Sequence, residues 1–205
     1  MMWTPRWYRR LRRRMVDRKA LALGNPWVRL PLAPPLPAYG PGANCDFARY
    51  LDGETEVEAA TPHDIATWLL SCRYADDRTF LDEPDHWQHP RTFEIVRCGD
   101  CEDFSLWAWR KLIEASFDAD FVVGNRRTPA GSVGRHAWVM YRDGSDEFVF
   151  DSVERSLARI IRPRHQAVDE YEPQVGVDAR GVRFTFAGLY RTTWGPRLTL
   201  DPHDD

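Results

Sequence analysis

The sequence predicts an α+β fold in which helices precede an antiparallel sheet. Three observations carry this. From Cys101 onward, Phe104, Ala108, Leu112 and Ala115 recur at the spacing of one helix face. After Asp118 the apolar period shortens to two, giving strand patterns over 121–123, 135–141 and 147–153, the last two flanking an Asp143-Gly144 turn. Helices and strands are segregated along the chain, which argues against a doubly wound parallel sheet.

The chain has 205 residues, 29% of them charged and 43% hydrophobic. That is the balance of a soluble globular protein with one domain and room for a sizeable core, and it excludes disorder as the overall state. No stretch approaches the ~18 consecutive apolar residues of a membrane-spanning helix. The net charge of −3 conceals a split. Residues 1–20 hold Arg6, Arg9, Arg10, Arg12, Arg13, Arg14, Arg18 and Lys19 against Asp17 alone, a net of +7 that leaves −10 for the remainder.

In chain order, residues 1–23 read as a basic arm. Trp3, Trp7, Tyr8, Leu11, Met15 and Val16 lie among its arginines, a composition that suits an anionic membrane, an acidic partner or a solvated tail. No nucleic-acid partner is expected, because the acidic body repels phosphates. The basic block lacks the ~7–15 apolar residues that follow it in a secretory signal, so a cytoplasmic protein is expected. Residues 24–44 carry Pro26, Pro31, Pro34, Pro35, Pro37 and Pro41, too many for helix or central strand, and read as an extended connector lying across the body. The compact domain is expected over 45–205.

Within it, Thr61-Pro62-His63-Asp64 followed by Ile65, Trp68 and Leu69 reads as a capped helix start. A polar loop with Asp76, Asp77, Asp82 and Asp85 follows, then the segment from Trp87 to Ile95. The helix from Cys101 and the three strands come next. The alternation of Phe184 and Phe186 predicts a last strand over 182–190.

Cysteines stand at 45, 72, 98 and 101. Four-cysteine zinc sites usually come as two close pairs, and here only Cys98 and Cys101 are close. Cys101 follows Gly99-Asp100 at the first turn of the predicted helix, where unpaired N–H groups and the helix dipole favour a thiolate. Seen alone, a helix-start cysteine is more often structural than catalytic, so a base is needed. His136 is the candidate, on a strand whose alternation puts His136, Trp138 and Met140 on one face and Ala137, Val139 and Tyr141 on the other. If Asp143-Gly144 is a two-residue turn, Asp151 lies opposite His136 with Cβ atoms ~5 Å apart and can orient the imidazole. A wider turn through Ser145 and Asp146 would put Ser152 or Val153 there instead. For the oxyanion, the Cys101 backbone N–H is one candidate donor, and Gln88 or the Trp87 indole N–H would supply another.

The run Gly99-Asp100-Cys101-Glu102-Asp103-Phe104, followed by His136-Ala137 and then Asp151, resembles the transglutaminase-like superfamily. It is especially similar to the bacterial transglutaminase-like cysteine proteinases, with Trp87-Gln88-His89-Pro90 upstream also matching that group. The resemblance spans Thr61 to Val153 and implies a papain-like fold, with the nucleophile at the N-terminus of a helix packed on an antiparallel sheet. It implies Cys101 as nucleophile, His136 as general base and acid, and Asp151 as orienting acid. Cys98 departs from the family, which more often has a small residue there. Some relatives use the acids flanking the cysteine to hold calcium, so Asp100 and Glu102 are candidate ligands, and no other cofactor is expected. Unless a cation or an arginine offsets them, Asp100, Glu102 and Asp103 oppose ionisation of the thiol.

The function expected is a thiol-dependent hydrolase acting on amide bonds of a peptide or protein through a Cys-His-Asp triad and a thioester. The alternatives are a transglutaminase-type acyltransferase or deamidase, and a non-catalytic protein that binds through its basic arm.

Overall fold

The computed structural model describes residues 25–191 apart from Pro31, Cys45 and Pro129. The basic arm and Cys45 therefore lie outside the described residues. The first strand, β1 (Arg29–Leu30), comes from the proline-rich stretch and pairs with a strand near the end of the chain. The sheet thus takes an edge strand from upstream of the boundary expected at residue 45.

The helix starts are written locally. In α1 (Pro62–Leu69), Thr61 and Asp64 cap one another and Pro62 fills the first turn, with Ile65, Ala66 and Leu69 turned into the core. After β2 (Arg73–Tyr74), Asp76 caps the short α2 (Asp77–Phe80). The stretch after Trp87 becomes α3 (Pro90–Val96), capped by His89 and ended by Arg97 at a left-handed φ of 56°. The two-residue β3 (Cys98–Gly99) runs parallel to β2 and leads into α4 (Cys101–Glu114).

The helix expected from Cys101 is present, but it is buried all round over Glu102 to Leu112. Trp107 stacks on Trp68 of α1, with ring centroids 4.0 Å apart, while Phe104 meets Phe93 of α3. Burial of Arg110 and Lys111 is tolerable because their N–H groups are paired. Arg110 donates to the carbonyls of Asp52 and Gly53 and to Glu114, and Lys111 donates to Thr55 and the Val57 carbonyl. These bonds hold the loop before α1 against the helix.

Beyond α4 run β4 (Asp118–Arg127), β5 (Val133–Asp143), β6 (Asp146–Phe150), α5 (Leu157–Ile160), β7 (Ile161–Pro163), α6 (Arg164–Ala167), β8 (Tyr171–Val177) and β9 (Arg183–Phe186). Seven strands form one antiparallel sheet in the order β1-β9-β8-β4-β5-β6-β7. One face, with Phe121, Val123, Ala137 and Val139, packs on α4. The other carries Val122, Trp138, Met140 and Tyr171 and is covered in part by Trp27.

Two expectations change, and one strand lies where none was expected. The β5–β6 turn is Gly144-Ser145, not Asp143-Gly144, since Asp143 pairs with Asp146 and Gly144 takes the positive φ that a two-residue turn demands. The stretch 182–190 is a strand only to Phe186 and then a 3-10 helix, Ala187–Tyr190. β8, which no periodicity announced, is a fully buried strand containing Pro173, accommodated where a bulge at Val123/Gly124 shifts the β4–β8 register. Among the described residues no helix is long and apolar enough to cross a membrane.

Candidate active site

Cys101 is the first residue of α4, and the turn that presents it is tied to the segment before it. The buried Asp103 carboxylate accepts from the Gln88 backbone N–H (2.7 Å), the Gln88 side-chain amide (2.6 Å) and the Asp100 N–H (3.4 Å). Gly99 is obligatory by close approach, because a Cβ there would overlap the Asp103 carboxylate and the Gln88 amide nitrogen. One turn along the helix, Ser105 Oγ donates to the Ala137 carbonyl (3.0 Å) and meets Ser152 Oγ at 2.8 Å. The helix start is thereby fixed both to β5 and to the segment that follows Asp151.

The oxyanion donors expected from Gln88 and Trp87 are committed elsewhere. Gln88 Nε2–H groups go to the Cys98 carbonyl (2.9 Å) and Asp103, and the Trp87 indole N–H goes to Asp85 (3.0 Å). Both side chains brace the site, with Trp87 forming part of its wall.

His136 and Asp151 meet, although not by the register expected. Regular β5–β6 pairing ends at Val139 and Phe150, and Asp151 lies just past the strand end. From there both carboxylate oxygens stand 3.0 Å from His136 Nε2. Asp151 is fully buried and His136 is 9% exposed. Burial opposes ionisation of Asp151, but the charge and hydrogen bond of His136, the Arg126 guanidinium and the Tyr171 hydroxyl outweigh it and hold the carboxyl well below its usual range. With Nε2 facing Asp151, Nδ1 is the nitrogen available for proton exchange.

Cys101 and His136 line one cavity of about 330 Å³, together with Glu102, Arg135, Trp87 and the connector residues 39–41. The Cys101 Sγ–H donates to Glu102 Oε2 at 3.0 Å, and among the described residues no hydrogen bond joins it to His136. Burial, then the Glu102 and Asp100 carboxylates, push the thiol well above its usual value, while a backbone hydrogen bond from Ala137 acts in the opposite sense.

Asp100 and Glu102 gather with the thiol, Asp77 and Asp85 gather with Glu102, and Asp77 gathers with Asp100 and Asp103, the ligating atoms of each group lying within 4.8 Å of one another. Burial and neighbouring carboxylates push Asp100 up to about 6 and Glu102 up to about 10. Buried Oδ1 atoms of Asp77 and Asp100 have no hydrogen-bond partner among the described residues. An all-oxygen, strongly acidic donor set of this kind fits a hard divalent cation.

Cys72 and Cys98 carry free, buried thiols, and neither joins a group of gathered metal-ligating side chains among the described residues. Sequence reasoning noted Asp77 and Asp85 only as loop polarity, and it missed Arg126, Arg135 and Tyr171 altogether. Asp77 and Asp85 reach the site because the loop after β2 folds back on the start of α4, a contact with no local signature.

No family model matches the chain, and no curated protein matches it. Among solved structures the chain is similar to Legionella pneumophila LapG, at 18% identity and a TM-score of 0.47 over 60% of this chain and 66%, just under two thirds, of that one. It is similar at the same identity and TM-score to EGTA-treated LapG, over 60% of this chain and 64% of that chain, and to calcium-bound LapG, over 67% and 71%.

Proposed function

We propose that this protein is a thiol-dependent hydrolase of amide bonds in a peptide or protein, with Cys101 as nucleophile, His136 as general base and acid, and Asp151 as the residue that orients His136. The observation that carries the reading is a His136–Asp151 pair bonded at 3.0 Å whose imidazole lines the same cavity as a thiol at a helix N-terminus.

In this reaction the Cys101 side chain turns from Glu102 toward the imidazole and passes its proton to His136 Nδ1. The sulfur adds to the amide carbonyl carbon, and the backbone N–H of Cys101, unpaired within the helix, is a donor to the oxyanion. Collapse breaks the C–N bond, the amine leaving with the proton from His136 and the acyl group remaining on sulfur as a thioester. His136 then takes a proton from water, the hydroxide oxygen adds to the thioester carbonyl, and the acid departs as the thiol is restored. Asp151 stays ionised throughout and stabilises the imidazolium.

A divalent cation held by Asp77, Asp85, Asp100 and Glu102 would supply positive charge that offsets the carboxylates beside the thiol. Calcium suits these oxygens.

The test compares wild type, Cys101→Ala and His136→Ala for labelling by a thiol-reactive acyl electrophile and for release of amine and acid from a peptide mixture. Wild type is expected to label at Cys101 and to turn over, and the two variants to lose turnover. Equal labelling of wild type and His136→Ala would overturn the reading, and an amide in place of the acid product would mark acyl transfer.

A further inference from the structure

Asp151 is held by more than His136. Its Oδ2 accepts from the Tyr171 hydroxyl at 2.5 Å and from Arg126 Nη1 at 2.9 Å, and its Oδ1 accepts from the Val153 N–H at 3.3 Å. Tyr171 is fully buried and is itself fixed, since Arg162 Nη2 donates to its hydroxyl at 3.1 Å. The Arg126 and Arg162 guanidinium carbons lie 5.5 and 5.4 Å from its ring centroid. Both arginines are anchored in turn, Arg126 by Glu154, which Arg159 also holds, and Arg162 by Glu170.

The backbone explains why these groups converge. The bulge at Val123/Gly124 shifts the β4–β8 register so that Tyr171, not Glu172, lies opposite Arg126. Gly124 lies opposite His136 on the neighbouring strand, which puts Arg126, two residues on, on the face that His136 occupies. A Cβ at Gly124 would strike the Glu172 carbonyl, Pro173 and the Trp138 ring, so the site depends on glycine there.

From this geometry we infer that Tyr171 and Arg126 are positioning residues for the proposed reaction. They keep the buried Asp151 ionised and its oxygens aimed at Nε2, so that His136 carries its proton there and presents Nδ1 to the cavity. The inference rests on the Cys101–His136–Asp151 reading. The groups facing Asp151 are His136 from β5, Arg126 from β4 and Tyr171 from β8, with Arg162, Glu154, Arg159 and Glu170 behind them. Removing either the Tyr171 hydroxyl or the Arg126 charge makes Asp151 easier to protonate and loosens its hold on Nε2.

The experiment uses the full chain with Tyr171→Phe, Arg126→Met and Arg126→Lys, each confirmed as folded by circular dichroism. Two quantities are read: the rate of Cys101 acylation by a thiol-reactive electrophile at fixed pH, and the NMR resonance of the His136 Nε2–H. Tyr171→Phe and Arg126→Met are expected to slow acylation about tenfold and to broaden or lose the Nε2–H signal. Arg126→Lys is expected to restore most of the rate. If the folded variants melt earlier but acylate as wild type and keep the Nε2–H signal, the residues are structural and the inference is overturned. If His136→Ala acylates as fast as wild type, the enzymatic reading falls and takes the inference with it.

Discussion

Asp151 concentrates the electrostatics of the site in one fully buried carboxylate, bonded to His136, Tyr171 and Arg126. Its folded-state pKa is depressed, so its contribution to stability is fully present above the unfolded value of ~3.9 and is lost as pH falls through the lower folded value. Denaturant midpoints are expected to drop as pH is lowered below about 4, with a shallower drop in Asp151→Asn. Equal slopes in the two proteins would contradict this. The acids beside Cys101 have the opposite sign. Glu102 is pushed up to about 10 and Asp100 to about 6, chiefly by burial, so the proposed cation would compete with protons for the same oxygens. Calcium is expected to raise the melting temperature more at pH 8 than at pH 5.5, and Glu102→Gln to reduce the gain. A calcium shift independent of pH would count against these carboxylates as the ligands. At this scale the sequence was legible where chemistry is local: Asp100 and Glu102 stand beside Cys101 in the chain. Tyr171 and Arg126 were not legible, because a tyrosine and an arginine on separate strands bear no mark of a shared carboxylate.

Helix α4 shows what local pattern conveys and what it omits. Its start follows from Asp100, Gly99 and the acids of the first turn, and its apolar face from Phe104, Ala108 and Leu112. Its burial on the remaining sides comes from partners distant in the chain. Trp107 stacks on Trp68 and donates its indole N–H to Glu94 at 2.9 Å. Trp107→Ala is expected to cost ~3–5 kcal/mol, read from chemical denaturation. A loss below about 1 kcal/mol would mean that α1 and α3 close over the gap. The β5–β6 hairpin teaches a related lesson. Asp143-Gly144 looked like the turn, yet Gly144-Ser145 is, because the paired strands hold Asp143 opposite Asp146. A register shift of this kind moves every cross-strand partner, and His136 reaches Asp151 only because Asp151 has left the strand. β8 carries no legible period because Pro173 and Gly176 interrupt its pattern, and the bulge beside Pro173 leaves Gln174 without a partner on β4.

Across the whole molecule, the proline-rich stretch is part of the fold and of the site. Trp27 and Leu30 are buried against the sheet, Tyr39 donates its hydroxyl to the Gly176 carbonyl at 2.8 Å, and the Ala38 carbonyl accepts from Arg135 in the cavity wall. Burying each large apolar side chain stabilises by ~1.5–3 kcal/mol, against a total that is typically ~5–15 kcal/mol. A chain beginning at Asp46 is therefore expected to lack a cooperative thermal transition by circular dichroism, and a wild-type melt from it would refute the structural role. The sequence by itself determined the α+β class, the helix that starts at Cys101, the strand that carries His136 and the candidate trio of Cys101, His136 and Asp151. Those depend on periodicity, caps and short motifs, which are local. Tertiary structure alone decided the hairpin register, the bulged β8, the connector's place in the sheet and the groups that surround Asp151 and Cys101. Each of these depends on burial and charge shared between segments far apart in the chain, which no local pattern encodes.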